Sequence, residues 1–195
     1  MNQKPAFGCV NNTIRLLSGK YLDLANPKPD QFELIDIANA LSKICRFGGQ
    51  IKTFYSVAEH SMHCRLQAAY DGLMAREQLA CLFHDAAEAF IGDMVKPLKI
   101  MIPKYAEVEA SIEAAIGEKF GIDFALTRDV VREIDNAMLI AERNFLFSAD
   151  KVEWTGEKQV RKLHPRPNFL CLEPAEASRQ FIESATGLFW ARNNP

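Results

Sequence analysis

The chain has 195 residues, 48% of them hydrophobic and 25% charged, with 23 basic against 25 acidic side chains and a net charge of -2. Residues 1–195 suit one globular domain with a core over about 13–189, and the composition excludes a disordered or collagen-like chain. The charge balance excludes a broad basic surface for long nucleic acid but leaves room for a local basic pocket around one phosphorylated molecule.

Residues 13–24 carry β-type side chains on both sides of Ser18-Gly19 and predict a short hairpin. Pro27 and Pro29 break it, and Asp30 with Glu33 has the form of a capping pair opening a helix. Along that helix Leu34, Ile37, Ala38, Leu41, Ile44 and Cys45 recur at helical spacing until Gly48-Gly49, with Arg46 in the last turn. A second helix is expected from near Ser56 to about Tyr70, and a third from about Ala75 to Ile91, stopped by Gly92. Pro97 and Pro103 punctuate a loop; a fourth helix with Val108, Ile112, Ala115, Ile116 and Phe120 on one face follows, ended by Gly121. Thr127 is the expected N-cap of a long fifth helix ending near Phe147. Residues 148–174, with Gly156, Pro165 and Pro167, read as an irregular connection before a last helix from Pro174 to about Phe189. The architecture expected is all-α with minor β.

The cysteines, Cys9, Cys45, Cys64, Cys81 and Cys171, form no CxxC pair, which argues against a zinc ribbon or a disulfide framework and for reduced, buried thiols. Residues 1–10 lack the basic and apolar regions of a signal peptide, and no apolar stretch approaches the roughly 18 residues of a membrane span. A cytoplasmic protein with no membrane contact is the expectation.

The segment LFHDAAEAFIGD, residues 82–93, puts His84, Asp85 and Glu88 inside the most hydrophobic helical stretch. Unpaired charge there is expensive, so a compensating group is required. On a helix the three side chains converge, and Asp93 follows Gly92 closely enough to turn back toward them. A buried His-Asp hydrogen bond with a solvated Glu88 is the plainer alternative. In SVAEHSMHCR, residues 56–65, His60 and His63 are helical neighbours and either could offer imidazole to a metal, with a packed, non-ligating His63 the simpler reading. Asp135 falls on the buried face of the fifth helix and needs a cation or several donors, a buried Arg pair being the alternative. Glu142 and Arg143 read as a surface ion pair.

Histidine, then adjacent His-Asp 24 positions on, then Asp another 50 positions on, each on a different expected helix, resembles the H…HD…D order of the HD-domain metal-dependent phosphohydrolases. ALSKICRFGGQIKTFYSVAEHSMH, LACLFHDAAEAFIGDMVKPLK and the late DNAMLIAER are more closely similar to the small bacterial and prophage members of the 5′-deoxynucleotidase type. That branch includes phage deoxyadenosine triphosphate triphosphohydrolases and enzymes that strip phosphates from nucleotide-like antibiotic precursors. The likeness spans residues 14–187. It implies a compact HD-domain helical bundle in which His60, His84, Asp85 and Asp135 bind one divalent ion: manganese, cobalt, iron, magnesium or zinc. A second, labile ion could enter with the substrate. Glu88 and Asp93 match the positions used for proton transfer, without a division of roles between them.

The resemblance further implies that Arg46 grips phosphate, that Lys96 and Lys99 hold further phosphates unless they are solvated loop residues, and that the protein is a homodimer. The deoxynucleotidases have tryptophan after that arginine, where it helps to exclude a ribose 2′-OH; here Phe47 stands there, which weakens strict deoxyribose selection. Tyr55, with Phe54, could stack on a base or sugar or simply pack in the core. The implied activity is removal of phosphate from a nucleotide or nucleotide analogue by metal-activated water. The competing class is a non-catalytic metal- and nucleotide-binding regulator, which would need neither Glu88 nor Asp93.

Overall fold

The computed structural model describes residues 12–149 and 152–194; the N-terminal segment and Cys9 lie outside them. The fold is all-α with a small N-terminal hairpin. Strands β1 (Thr13–Arg15) and β2 (Tyr21–Asp23) pair antiparallel in the register Ile14 to Leu22. Leu22 is fully buried against the helices, and the Ser18 N–H donates to the buried Asp36 carboxylate at 2.7 Å, which ties the turn to the first helix.

That helix, α1 (Leu34–Leu41), is shorter at both ends than its periodicity predicts. Asp30 does not cap it: Pro29–Gln31 forms a separate 3-10 turn, followed by extended Phe32 and Glu33. At the other end, residues 44–46 leave the helix because their backbone pairs with residues 55–57. Cys45 and Ser56 form an antiparallel bridge, the Arg46 N–H donates to Tyr55 O at 2.9 Å, and the Val57 N–H donates to Ile44 O at 3.1 Å. Arg46 therefore sits at the head of a tight turn, Arg46–Gly49, instead of a last helical turn. Within it Phe47 has φ 56°, a left-handed conformation that costs a non-glycine residue roughly 1–2 kcal/mol.

Helix α2 (Val57–Tyr70) starts where the Ser56 hydroxyl accepts from the Glu59 N–H at 3.1 Å. It carries buried residues on several faces, including Val57, Glu59, His60, Ser61, Cys64 and Gln67, because α3, α7 and α8 all pack against it. The expected third helix is two: α3 (Ala75–Phe83) and the single turn α4 (Glu88–Ile91). Between them the hydrogen bonds tighten to three-residue spacing, Ala86 N–H to Phe83 O and Glu88 N–H to Asp85 O. Both prolines of the expected loop start helices, α5 (Lys96–Met101) and α6 (Pro103–Phe120), since the missing N–H is one the first turn cannot use.

Helix α7 (Phe124–Leu146) begins a turn earlier than predicted. Asp123, not Thr127, is its cap, accepting from the Leu126 N–H at 2.9 Å, while the Thr127 hydroxyl bonds back to Asp123 O. An irregular segment leads to α8 (Pro174–Asn193), which runs past Phe189. No helix among the described residues is long and apolar enough to cross a membrane. One core gathers Phe32, Ile37, Leu41, Leu82, Phe83, Ile112, Ile116 and Phe181; a second, between α2, α3 and α7, gathers Tyr55, Cys64, Cys81, Ile134, Met138 and Leu146. Each fully buried large side chain contributes about 1.5–3 kcal/mol before entropy is counted. The polar residues singled out in the sequence converge beside the second core.

Candidate metal centre

His60 comes from the first turn of α2, His84 from the C-cap of α3, Asp85 from the turn after it and Asp135 from the middle of α7. Their ligand-type atoms meet at one point. His60 Nε2 lies 3.2 Å from His84 Nε2, 3.2 Å from Asp135 Oδ1 and 3.5 Å from Asp85 Oδ2. His84 Nε2 lies 3.3 Å from Asp85 Oδ2 and 3.7 Å from Asp135 Oδ1. Both imidazoles turn their other nitrogen to an oxygen acceptor: His84 Nδ1 is 2.9 Å from Cys81 O and His60 Nδ1 is 2.7 Å from Glu142 Oε1. With Nδ1–H donating in each ring, loss of the Nε2 protons that bond Asp135 in the metal-free protein would leave both Nε2 lone pairs facing the shared point, the tautomer that metal ligation requires.

The group His60, Cys64, His84 and Asp135, the first two buried and the other two partly exposed, could hold a metal ion: one ligand atom from each lies within 4.8 Å of all the others. Ligand bonds of about 2.0–2.2 Å put neighbouring donors about 3.0–3.5 Å apart around one ion, and the spacings above fall in or close to that range. Electrostatics agree with the donor set. Burial opposes charge on every member, yet the two imidazole hydrogen bonds hold the Asp135 carboxyl well below its usual range, and Asp85 and Asp135 raise His84. Negative charge at this point is thus stabilised by whatever cation, proton or metal, is shared among the four side chains.

Behind His60 lies a carboxylate that the sequence reading placed at the surface. Glu142 is fully buried and accepts from Tyr55 Oη at 2.9 Å, from Arg46 Nε at 3.1 Å and from His60. Although burial pushes its pKa up, Arg46 and His60 bring it below the usual carboxylate value. Arg46 is nearly buried, with Nη1 3.5 Å from Asp85 Oδ2, and the surrounding carboxylates, Glu142 first, hold it charged against the cost of burial. Arg143 is buried too: it reaches Glu157, on the segment after α7, and lies 4.9 Å over the Trp154 ring. Glu142 and Arg143 therefore do not pair with each other at the surface.

No model of a known protein family matches the chain. Uncharacterized protein YfdR of Escherichia coli strain K12 is 37% identical over 171 residues, covering 87% of this chain and 92% of its own. Uncharacterized protein RCAP_rcc00048 of Rhodobacter capsulatus is 35% identical over 159 residues, covering 79% of this chain and 80% of its own. The chain belongs to the family of these two proteins.

In this family member Glu88 and Asp93 flank the centre on α4 and just past it. Glu88 is buried, its Oε2 has no hydrogen-bond partner, and burial together with the charges of Asp85 and Asp93 pushes it up to about 10. Asp93 is half-buried and also raised, by burial first, with Arg46 opposing. Gly92, at φ 83°, makes the turn that carries the chain from one to the other. Lys99 pairs with Glu109 and its charge reaches Glu88 and Asp93, whereas Lys96 is exposed at the start of α5.

Phe47 lies beside the Arg46 guanidinium at 5.3 Å and edge-on to Phe147. Tyr55 is not placed to stack on a ligand, being wholly buried with its ring edge-on to Phe169 and its hydroxyl on Glu142. His63 stands outside the centre, 3.7 Å from Glu59. The sequence reading missed Glu142 and Cys64. Glu142 is seven residues after Asp135, two turns along the same face of α7, and Cys64 is four after His60, so helical spacing alone could have found both.

Proposed function

We propose that the protein is a metal-dependent phosphohydrolase that removes phosphate from a nucleotide or nucleotide analogue. The observation that carries this reading is the convergence of two imidazole Nε2 atoms and the Asp85 and Asp135 carboxylates on one point, with Glu88 buried and unpartnered beside them. The order in which these residues occur resembles that of the HD-domain phosphohydrolases. A divalent ion held by His60, His84, Asp85 and Asp135 would lower the pKa of bound water and polarise a phosphoryl oxygen.

The other roles belong to side chains. Arg46 places a fixed, charged guanidinium next to the centre, suited to phosphate oxygens. Glu88, whose carboxyl burial pushes up in the metal-free protein, is the donor to the departing oxygen, and the more exposed Asp93 takes a proton from the attacking water. Glu142 holds His60 in the ligating tautomer and Arg46 in place. Phe47, Phe147 and Trp154 pack together next to Arg46, aromatic faces of a kind suited to a base or sugar.

The decisive assay incubates purified protein with manganese or cobalt against mono-, di- and triphosphates of each nucleoside and deoxynucleoside and resolves the products chromatographically. Metal-dependent release of phosphate, pyrophosphate or triphosphate from at least one is expected, and Asp85→Ala should abolish it while weakening manganese binding. Absence of metal-dependent turnover on all of them would overturn the proposal.

A further inference from the structure

Away from the candidate metal centre, a cavity of about 450 Å3 is lined by α2, α8 and the 165–172 segment. Small-molecule sites occupy roughly 300–1,000 Å3. Met62, Arg65 and Leu66 line it from α2. At about 100° per helical residue these three point to the side of α2 away from His60. Pro165, Pro167 and Leu172 add apolar wall from the segment before α8, and Ser184 comes from α8 itself. Arg65 gives the cavity its chemistry. Its Nε is buried without a hydrogen-bond partner, and among the described residues no carboxylate pairs with it. Burial lowers its pKa, opposed only by Tyr70, so the guanidinium carries a charge that the protein does not neutralise. Arg166 adds a second, exposed positive charge to the lining. The one carboxylate there, Glu59, is already taken by the N–H groups of Leu170, Cys171 and Leu172.

We infer that this cavity is a second binding site, for a small organic anion with one carboxylate or phosphate head on Arg65 and an apolar body against Met62, Leu66, Tyr70 and Pro167. The planar fork of guanidinium donors suits either head, because both present paired oxygens. Leu66 and Tyr70 are 37% and 58% exposed, so an apolar body laid on them removes water from surface that the fold itself leaves uncovered. Binding of the head supplies the acceptor that buried Nε lacks. The site needs neither a metal nor turnover, and it stands whether or not the chain is a phosphohydrolase.

The test titrates chelator-treated protein, in which no metal can capture the head, with octanoate and with octyl phosphate by calorimetry. Octanol is the uncharged control, and all three are kept below their aggregation concentrations. At least one anion should bind wild type one to one, and the tighter of the two assigns the head. Arg65→Leu should weaken that binding about tenfold or more. Having lost an unneutralised charge, it should melt no lower than wild type. Ser184→Trp, which fills the cavity from α8, should block binding and serves as the test should Arg65→Leu fail to fold. Asp85→Ala, altered at the candidate metal centre, should bind the anion as wild type does. Binding of neither anion, equal affinity in wild type and Arg65→Leu, or octanol binding as tightly as the anions overturns the inference. Loss of binding in Asp85→Ala moves the anion to the candidate metal centre and overturns it as well.

Discussion

Arg46 and Glu142 lock each other inside the protein, and their energetics differ from those of a surface pair. Arg46→Ala leaves Glu142 buried with only Tyr55 and His60 as partners, which should cost roughly 3–5 kcal/mol. Adding Glu142→Gln should return a large part of that, as read by denaturant unfolding, because the stranded charge is gone. Glu88 gives the opposite sign. Its folded-state pKa of about 10 exceeds the ordinary 4.5, so between those values the native state binds the extra proton and stability falls as pH rises. Glu88→Gln, a mimic of the protonated form, should raise the melting temperature of metal-free protein at pH 8 more than at pH 5, while severely slowing the proposed hydrolysis. Equal shifts at both pH values would count against a buried, protonated Glu88. His84, Asp85 and Asp135 were legible as residues because a charge in an apolar run demands a partner. Glu142 was not, since its Arg143 neighbour offered a cheaper explanation that only three-dimensional packing removes.

Helix breaks are where sequence periodicity was least informative. A continuous helix over residues 75–91 would have set His84, Asp85 and Glu88 on one strip; the break after Phe83 instead lets His84 bond Cys81 O and sends Asp85 into the centre. No proline or glycine marks that break, so composition could not show it. The end of α1 was hidden for a different reason, since the pairing of Cys45 with Ser56 is a contact between distant segments. At this scale Glu59 is the connector. Its carboxylate accepts from the N–H groups of Leu170, Cys171 and Leu172 at 2.8, 2.9 and 2.6 Å, pinning the segment before α8 to α2. Burial raises its pKa, but the His63 contact and those three amides win and lower it from 4.5. Its stabilising contribution is therefore present above that value and lost as pH falls through the depressed one. Glu59→Gln should lose roughly 2–4 kcal/mol at neutral pH, with the gap to wild type closing in acid; a pH-independent gap would show that the charge is not what holds the segment.

Across the whole molecule, the centre joins α2, the end of α3 and α7, helices that already enclose the second core. An ion bound only by the folded state adds its binding free energy to stability, about 2.7 kcal/mol at a hundredfold excess over Kd. Thermal unfolding with and without manganese should show an increase reversed by a chelator and absent in Asp135→Ala. The all-α fold with its hairpin was readable from apolar spacing and from Ser18-Gly19, whereas the way three helices meet was not readable from spacing at all.

Glu59 and His60 are consecutive residues, one anchoring the 170–172 backbone and the other facing the candidate metal centre. Because successive helical side chains point about 100° apart, α2 works as an indexing pin. A one-residue slip or insertion near its start would unhook the anchor and swing the ligand out together. Changes in chain length should therefore be tolerated in the exposed tip at Gly72, beyond the far end of α2, and rejected between Ser56 and Cys64, a pattern that a scan of single-residue insertions would reveal.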